Sequence, residues 1–297
     1  MLLELDEFQR RFEEIVGNTP LIKISDKIYS KLETYNPSGS IKDRLIYHLI
    51  RDALVSDHLN KETVLVEATS GNTGISLAMF GAAIGLPVTL IMPRNMSPER
   101  MEMMRAYGAN ILTVHDSDFA AAISLRDKMC NSDDRYWSPM QFENIENIRC
   151  HTQYTAHELH KQLGSQGLMW GAFVSGAGTG GTMAGIKRYI DRMGLTTQTC
   201  LMLPYESSHN HGIQGVNDGG DFLLERSLMD AEIKVKTQDA IDRAKRLASE
   251  SGLLVGISSG ANIVAAERYV QMYPLDGVVT TMLCDRGERY LSIFNNS

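Results

Sequence analysis

A lysine at position 42 stands where a helix is predicted to begin, and that position would give it unusual chemistry. The stretch NPSGSIKDR (36–44) opens with turn-forming residues and continues into an apolar pattern of helical period. Ser40 and Asp43 have the spacing of a capping box, so we expect the helix to begin at about Ser40. Lys42 then lies in the first turn, where the partial positive charge of the helix N-terminus disfavours an ammonium ion. A lysine favoured as a neutral amine can condense with an aldehyde, although this stretch alone also fits a surface lysine that points into water.

Three further stretches are rich in glycine, serine and threonine at predicted helix starts. They are EATSGNTGISLA (67–78), SGAGTGGTMAGIKRY (175–189) and VGISSGANIVAA (255–266). We interpret each as a strand, a glycine loop and a helix, with Ser258 and Ser259 at the strand end of the third. Backbone N–H groups at such helix starts bind anions, because nothing within the helix accepts their hydrogen bonds. A tight turn without a ligand explains any one of these loops, but it explains three of them and Lys42 less well.

The four features together meet the requirements of pyridoxal phosphate. Its aldehyde needs an amine, its phosphate needs a glycine loop, its ring nitrogen needs a hydrogen-bond partner and its ring hydroxyl needs an amide. We therefore predict pyridoxal phosphate as the cofactor.

A dinucleotide site is the specific alternative. Gly176, Gly178 and Gly181 form a GxGxxG pattern after a predicted strand, and Glu206 follows the next strand, as in nicotinamide-dependent dehydrogenases. The pattern lies in the middle of the chain rather than at the first strand-to-helix turn. It also leaves Lys42 and the SGNTG loop without a role.

Composition narrows the class of protein. The chain has 297 residues, 43% of them hydrophobic, and a net charge of -7, which argues against a nucleic-acid partner because few cations are in excess. Neither a signal peptide nor a membrane span is expected, and the eight histidines show no spacing typical of a metal site. The scattered cysteines are typical of reduced thiols in a cytoplasmic protein, and they are Cys130, Cys150, Cys200 and Cys284.

Strand and helix patterns alternate along the chain, which predicts an α/β fold with mostly parallel sheets and helices on both faces. The predicted strands are 63–68, 87–92, 110–114, 171–175, 200–203 and 277–283. The predicted helices are 73–84, 97–107, 118–130, 148–163, 181–193, 238–251 and 260–272.

The chain resembles the cysteine synthases (O-acetylserine sulfhydrylases) over residues 16 to 292. The stretches that carry the resemblance include VGNTPLIKI, YSKLETYNPSGSIKDR, EATSGNTGISLA, IMPRNMSPERMEMMRAYGA, QFEN, SGAGTGGTMAGIKRY, GISSGAN and LCDRGERYLS. The MRAYGA helix and the CDRGERYLS ending are most similar to the B isozyme. The resemblance implies a tryptophan-synthase-β-like fold (fold type II) with two open, mostly parallel sheets. It also implies a smaller mobile domain at about 36–140 and a larger cofactor-binding domain formed by 1–35 and 141–297.

The resemblance also implies roles for individual residues. Lys42 matches the catalytic lysine that binds the cofactor, Asn72 the partner of the ring hydroxyl and Ser258 the partner of the ring nitrogen. The phosphate cup corresponds to Gly178, Thr179, Gly180, Gly181 and Thr182. The binders of the substrate carboxylate correspond to Thr69, Ser70, Gly71, Thr73 and Gln141.

The reaction that the family carries out is a β-replacement. It makes L-cysteine from O-acetyl-L-serine and sulfide through an aminoacrylate intermediate, with Lys42 as the general base at Cα. The resemblance further implies a homodimer with small-molecule substrates. Because B-like enzymes generally lack the partnership, no complex with serine acetyltransferase is expected.

The segment LPYESSHNHGIQGVNDGGDF (203–222) departs from the family pattern, which leaves the second substrate open. Gln214, Gly215, Asp218 and Cys284 mark the region where that substrate is expected to enter. A cysteine lyase, or an enzyme that forms lanthionine or cystathionine, shares the other motifs. The B isozyme has two arginines just after the Gly-Ile of this segment, and Gln214 and Gly215 stand there instead. We therefore expect sulfide to be a much better donor than thiosulfate, because a desolvated dianion without a paired cation is costly.

Overall fold

The computed structural model describes residues 3–69, 71–206, 211–216 and 222–296. Its strands, in chain order, are β1 (Leu21–Lys23), β2 (Ile28–Leu32), β3 (Val64–Ala68), β4 (Val88–Pro93), β5 (Asn110–Val114), β6 (Tyr136–Trp137), β7 (Trp170–Gly176), β8 (Gln198–Pro204), β9 (Ala231–Val235) and β10 (Val278–Leu283).

The helices alternate with these strands. They are α1 (Leu5–Phe12), α2 (Lys42–Val55), α3 (Asn72–Ile84), α4 (Pro98–Ala106), α5 (Phe119–Ser132), α6 (Glu146–Cys150), α7 (His157–Ser165), α8 (Gly181–Met193), α9 (Thr237–Ser251), α10 (Ile257–Met272) and α11 (Leu291–Asn296). A π-helix at His151–Ala156 joins α6 to α7, so that the chain is helical from 146 to 165.

The chain divides into two compact units, and unit 1 comprises residues 1–16 and 36–140. Its sheet has the strand order β5-β4-β3-β6, and every pair is parallel. β4 is buried along its whole length, as expected for a strand of a parallel sheet that is covered on both faces. Val66, Ala68 and Ile91 form an apolar cluster with Ala122 of α5, which fixes that helix against the sheet.

Residues 1–16 cluster with unit 1, whereas the expected division placed them with the larger domain. The reason is aromatic packing: Phe8 and Phe12 on α1 are buried and contact the ring of Phe80 on α3, with ring centroids 5.9 Å and 4.9 Å away. Phe8 also stacks on Tyr47 of α2. That residues 36–140 form a mobile domain stays a prediction.

Unit 2 comprises residues 17–35 and 141–297. Its sheet has the strand order β1-β2-β10-β7-β8-β9, with one antiparallel pair, β1 with β2, at one edge. The central strands β10, β7 and β8 are parallel neighbours, so their carboxyl ends lie at one edge of the sheet. The loops that follow β7 and β10 therefore emerge on the same side, where ligands bind in open α/β sheets.

The fold-class prediction is confirmed: two open, mostly parallel sheets are present, and the six strands and seven helices predicted by residue range form. Ser97 occupies the N-cap position of α4 and Pro98 is its first residue, as predicted, although the Ser97 hydroxyl donates to the Glu99 carboxylate at 2.6 Å rather than capping the backbone. Gly108 follows that helix with a φ of +86°, also as predicted. The short strands β1, β2, β6 and β9 were not among the predicted ones. No helix in the described ranges has both the length and the apolar composition needed to cross a membrane.

The strand predicted before the third glycine loop is wrong. The stretch 255–266 follows helix α9 rather than a strand, and Val255 makes only an isolated bridge to Arg286. Helix α10 begins at Ile257, three residues before the predicted start of 260, so Ser258 and Ser259 lie in its first turn. The apolar residues before Gly256 looked like a strand because a short apolar run does not distinguish a strand from a buried helix connection.

Candidate active site

The loop before α2 places Lys42 at the first residue of that helix. Asn36, Ser38 and Ser40 are all buried, and Gly39 adopts a φ of +87°, which closes a turn with its N–H donating to the Asn36 carbonyl at 2.8 Å. Lys42 itself is half-buried, and its backbone N–H lies 3.3 Å from Ser40 Oγ. A largely buried, hydrogen-bonded loop therefore holds the start of the helix.

The capping box predicted between Ser40 and Asp43 is wrong, because Asp43 pairs with a different serine. The Asp43 carboxylate accepts hydrogen bonds from the backbone N–H of Ser38, at 2.6 Å, and from the Ser38 hydroxyl. The helix begins at Lys42, two residues later than expected. Because the chain turns at Gly39, the serine that faces the carboxylate is five residues away in sequence rather than three.

The loop between β3 and α3 brings four of the predicted residues together. Thr69 is buried, its N–H donates to the Ile91 carbonyl at 3.0 Å, and its Oγ1 lies 3.4 Å from the Gly71 nitrogen. Gly71 caps α3, and Asn72 and Thr73 begin the helix, with Thr73 buried. Ser70 lies outside the described residues. The N–H groups of this helix start can bind an anion such as a carboxylate.

Arg100 adds positive charge to this loop, and the sequence did not single it out. It is buried on α4, and a Cβ added to Gly71 would lie 3.6 Å from its Nη1 atom. The arginine lies inside the stretch NMSPERMEMM, where helical spacing alone did not distinguish it from a surface residue.

The loop between β7 and α8 forms a cradle of glycines in unit 2. A Cβ at Gly178 would lie 2.4 Å from the Gly215 carbonyl oxygen, and one at Gly181 would lie 2.0 Å from Asn147 Oδ1. Gly180 has a φ of +87°, and its Cβ would meet Leu224 at 2.6 Å. Because no side chain fits, the backbone itself lines this helix start, where N–H groups and the helix dipole favour a phosphate.

Two buried side chains hold the threonines of this cradle, and sequence reasoning missed both. Asn147 donates from Nδ2 to Thr179 Oγ1 at 3.0 Å and to the carbonyl of Gln141 at 2.9 Å. It therefore ties Gln141, a predicted substrate binder, to the cradle. His151 Nε2 lies 3.2 Å from the hydroxyl oxygen of Thr182. Both residues follow the QFEN stretch, and their proximity in sequence to Gln141 was the available signal.

Ser258 lies in the first turn of α10 and is 6% exposed. Its neighbour Ser259 accepts a hydrogen bond at Oγ from the backbone N–H of Cys284 at 2.9 Å. Asn262, one turn on, accepts the N–H of Gly176 at 2.8 Å and donates to the Met282 carbonyl at 2.9 Å. The start of α10 is thus fixed to the carboxyl ends of β7 and β10, the same edge from which the cradle emerges.

Cys284 is half-buried just after β10, with its sulfur 3.5 Å from Asn262 Nδ2. Its backbone therefore lies beside the first turn of α10, through the hydrogen bond to Ser259. That it borders the entry of the second substrate stays a prediction. Gln214 and Gly215 lie beside the cradle through the Gly215 carbonyl, and Gly215 has a φ of +84°. Asp218 lies outside the described residues.

The Glu206 carboxylate is hydrogen-bonded to the start of a helix. Its carboxylate accepts the backbone N–H of Thr237 at 3.0 Å, at the beginning of α9, and the Thr237 hydroxyl at 3.2 Å. Burial alone would raise the pKa of Glu206, but these hydrogen bonds hold it below its ordinary value. A dinucleotide site needs this acid for a ribose, so the arrangement gives the nicotinamide alternative no support.

These residues fit pyridoxal phosphate. The glycine cradle at 178–182 leaves room and N–H donors for its phosphate, and a buried serine hydroxyl stands at the start of α10 for its ring. No group of three or more histidine, cysteine, aspartate or glutamate side chains within the described ranges is arranged to hold a metal ion.

The family model for pyridoxal-phosphate-dependent enzymes matches residues 12–285, and the chain therefore belongs to this family and is an enzyme that uses this cofactor. It is 40% identical to cysteine synthase B of Campylobacter jejuni over 296 residues, which cover 95% of this chain and 97% of that one. The resemblance found in the sequence is confirmed.

Two solved structures have the same fold over almost the whole chain. A hydrogen sulfide-producing enzyme from Fusobacterium nucleatum has a TM-score of 0.90 at 32% identity, covering 97% of this chain and 91% of that one. An O-acetylserine-dependent cystathionine β-synthase from Helicobacter pylori has a TM-score of 0.86 at 31% identity, covering 98% of each chain. Both support assignment to fold type II.

Proposed function

We propose that this enzyme makes L-cysteine from O-acetyl-L-serine and sulfide. The 40% identity to a cysteine synthase over nearly the whole chain supports this substrate pair. The observation in the structure that carries the proposal is the glycine cradle at the start of α8. A Cβ at Gly178 would collide with the backbone of Gly215, and one at Gly181 would collide with the buried side chain of Asn147. Such a helix start selects a phosphate-bearing cofactor.

Each group of the cofactor has a candidate partner. The phosphate is bound by Gly178, Thr179, Gly180, Gly181 and Thr182, the ring hydroxyl by Asn72 and the ring nitrogen by Ser258. When bound, pyridoxal phosphate supplies an aldehyde that joins to amines and a ring that withdraws electrons from the substrate Cα. Ser258 offers a neutral hydroxyl, which does not hold a proton on the ring nitrogen as a carboxylate would. The weaker electron withdrawal that results favours prompt loss of a β-leaving group.

Lys42 is proposed as the base and as the residue that binds the cofactor aldehyde. Its place at the first residue of α2 favours the neutral amine, because the helix N-terminus repels an ammonium ion. Lys42 Nζ accepts the proton from Cα of O-acetylserine, and acetate leaves from Cβ. After sulfide has added at Cβ, Nζ returns the proton to Cα.

The substrate carboxylate is proposed to bind at the start of α3. Its partners are Thr69, Ser70, Gly71, Thr73 and Gln141. The N–H groups of the first turn and the Arg100 guanidinium both favour a negative charge there. This contact fixes the orientation of Cα toward the base, which is the main benefit of a bound carboxylate in such a reaction.

The absorbance of the purified protein tests the cofactor and the substrate together. We expect a band in the near-visible range that shifts when O-acetylserine is added and returns when sulfide is added, with cysteine as the product. A colourless protein that does not gain the band on incubation with pyridoxal phosphate would contradict the proposal.

A variant pair tests the role of Lys42. Lys42→Ala should abolish cysteine formation, and borohydride reduction should no longer fix the cofactor to the chain. Lys61→Ala, an exposed lysine in the same unit, is the matched control and should behave as the wild type. Normal turnover in Lys42→Ala would show that another residue is the base.

The second substrate is tested by competition among nucleophiles. Sulfide, thiosulfate, homocysteine and cysteine are offered with O-acetylserine, and the amino-acid products are identified by mass spectrometry. We expect sulfide to be used with a specificity constant orders of magnitude above that of thiosulfate, because Gln214 and Gly215 supply no cation. Cystathionine or lanthionine as the main product would instead assign the activity named for the Helicobacter pylori structure or a related β-replacement.

The proposal also covers assembly and location. A homodimer in the cytoplasm, with no nucleic-acid partner and no complex with serine acetyltransferase, agrees with the net charge of -7 and with the resemblance to the B isozyme. Light scattering coupled to size exclusion, with and without serine acetyltransferase, measures both the oligomeric state and the absence of the complex.

A further inference from the structure

His151 is buried in an irregular turn beside the phosphate cradle. The residue is 2% exposed and belongs to the π-helix at His151–Ala156, a widened turn within a continuous helical segment. Such turns are rare and frequently occur at functional sites. Helix α8 packs closely here: a Cβ at Gly185 would lie 2.6 Å from His151 Cβ, and the Thr152 hydroxyl lies between the carbonyl oxygens of Ile148, at 2.9 Å, and Gly185, at 3.1 Å. The position of the ring is therefore fixed by backbone packing.

Both ring nitrogens face a hydroxyl. Nδ1 lies 2.9 Å from Thr155 Oγ1, and Nε2 lies 3.2 Å from Thr182 Oγ1. A neutral imidazole has one N–H donor and one acceptor, whereas each hydroxyl can donate one hydrogen and also accept. The chain from Thr155 through His151 to Thr182 can therefore run in either direction, and the tautomer of the ring decides which.

We propose that His151 is a positioning residue that keeps its proton on Nε2 and thereby aims the Thr182 hydroxyl at the cofactor phosphate. In this direction Thr155 O–H donates to Nδ1, Nε2–H donates to Thr182 Oγ1, and the Thr182 hydrogen is left to donate to the anion. In the opposite direction Thr182 would donate to Nε2 and present only lone pairs to a phosphate. A phosphate only accepts hydrogen bonds, so its presence favours this direction, and Thr155 supplies the matching donor at Nδ1, 2.9 Å away.

The inference rests on the proposed phosphate role of the cradle, and the tautomer provides a readout separate from activity. Long-range proton–nitrogen NMR spectra of the holoenzyme, labelled with ¹⁵N-histidine, distinguish Nε2–H, Nδ1–H and doubly protonated rings. The signal of His151 is assigned by its absence from His151→Gln.

We expect the neutral Nε2–H form in the holoenzyme. An Nδ1–H or doubly protonated ring in a protein that retains its cofactor would overturn this inference and leave the proposed function intact. Failure to bind the cofactor at all would overturn both.

Retention of pyridoxal phosphate in equilibrium dialysis tests the same chain by substitution. His151→Leu should weaken retention by about 10–100-fold, as expected when a hydrogen bond to a charged group is lost. His151→Gln, whose amide can still donate toward Thr182, should stay within about threefold of the wild type. Thr155→Val should weaken retention by several-fold, at about the scale of a lost neutral hydrogen bond, and should give a mixture of tautomers.

The control is His160→Leu on α7, whose Nδ1 instead lies 3.0 Å from the Tyr189 hydroxyl. It should retain the cofactor as the wild type does. Equal loss in His151→Leu and His151→Gln would show that the ring acts only through packing, and would overturn the proposal.

Discussion

Helices α3 and α8 both begin after a strand and a glycine-rich loop, but their surroundings differ. At the start of α8, a Cβ at Gly178, Gly180 or Gly181 would lie within 2.6 Å of another part of unit 2. At the start of α3, a Cβ at Gly71 would make an ordinary van der Waals contact at 3.6 Å with a flexible arginine side chain. The two loops have similar sequences, but the glycines at their N-caps are packed differently. Inside the first turn of α3 the chain is enclosed again, because a Cβ at Gly74 would lie 2.8 Å from Met104 Cε.

The difference indicates a division of roles. A loop whose glycines have no room for a side chain can hold a permanent group in one geometry, as a cofactor phosphate requires. A loop with free space can adjust around a substrate that enters and leaves at each turnover. Asn147 and His151 brace the α8 loop from a neighbouring helical segment, and Arg100 offers the α3 loop charge rather than a fixed wall.

The largest difference between the two loops should appear when one methyl group is added to each. Gly181→Ala places a Cβ 2.0 Å from Asn147 Oδ1 in a fully buried position, so we expect cofactor affinity to fall by more than about 100-fold and stability by about 1–3 kcal/mol. Gly71→Ala should keep its cofactor. Equilibrium dialysis and thermal unfolding measure both quantities, and equal cofactor loss in the two variants would contradict the division of roles.

Removing one hydroxyl from the start of α8 and one from the start of α3 should separate cofactor binding from substrate binding. Thr182→Val should weaken cofactor binding by about 10–100-fold and leave KM for O-acetylserine near the wild-type value when cofactor is saturating. Thr73→Val should retain the cofactor and raise KM by about tenfold. The serine variants of both residues should recover most of the loss. A cofactor defect in Thr73→Val would show that this hydroxyl binds the cofactor rather than the substrate.

Substitution at the third helix start, that of α10, should have a smaller effect on cofactor binding and turnover. Ser258→Ala removes one hydrogen bond, typically about 0.5–1.5 kcal/mol, so we expect turnover or cofactor affinity to fall by about 2–12-fold with folding retained. Ser258→Asp should hold a proton on the ring nitrogen and slow cysteine synthesis. If the aspartate variant were faster than the wild type, the contact with the ring nitrogen would be excluded.

The smallest expected effect concerns the acid stability of unit 1. Burial, with help from the cations of Arg51 and Arg44, lowers the pKa of His48 on α2 to about 3. The unfolded chain takes up this proton near pH 6.5 and the folded chain does not, so stability falls as the pH drops below 6.5. At pH 6.0 the loss is about 0.8 kcal/mol, or roughly 2 °C in Tm.

Calorimetry at pH 7.5 and pH 6.0 measures this effect. His48→Gln should have a smaller drop in Tm between the two values than the wild type, because it has no proton to bind. Replacement of the exposed His58 by glutamine is the matched control. If both variants flattened the pH dependence equally, the burial of His48 would not be the cause.

Local patterns in the sequence were sufficient for the family, the cofactor and most elements. The strands of a parallel sheet are continuous apolar runs, and the glycine loops repeat the same strand-to-helix junction, so both can be recognised within about a dozen residues. The same patterns failed where a short apolar run was ambiguous. The chain before α10 was assigned to a strand, although the sheet had no place for it.

The tertiary structure decided which residues surround those motifs. Asn147 reaches Thr179 across 32 positions and His151 reaches Thr182 across 31, while β2 pairs with β10 across about 250. The partner of Asp43 also depended on a backbone turn at Gly39, which moved it from Ser40 to Ser38. Sequence periodicity reports which face of an element is apolar, because that depends on near neighbours. It carries no information on which distant side chain fills the space beside a glycine, and in this protein that choice separates the braced α8 loop from the open α3 loop.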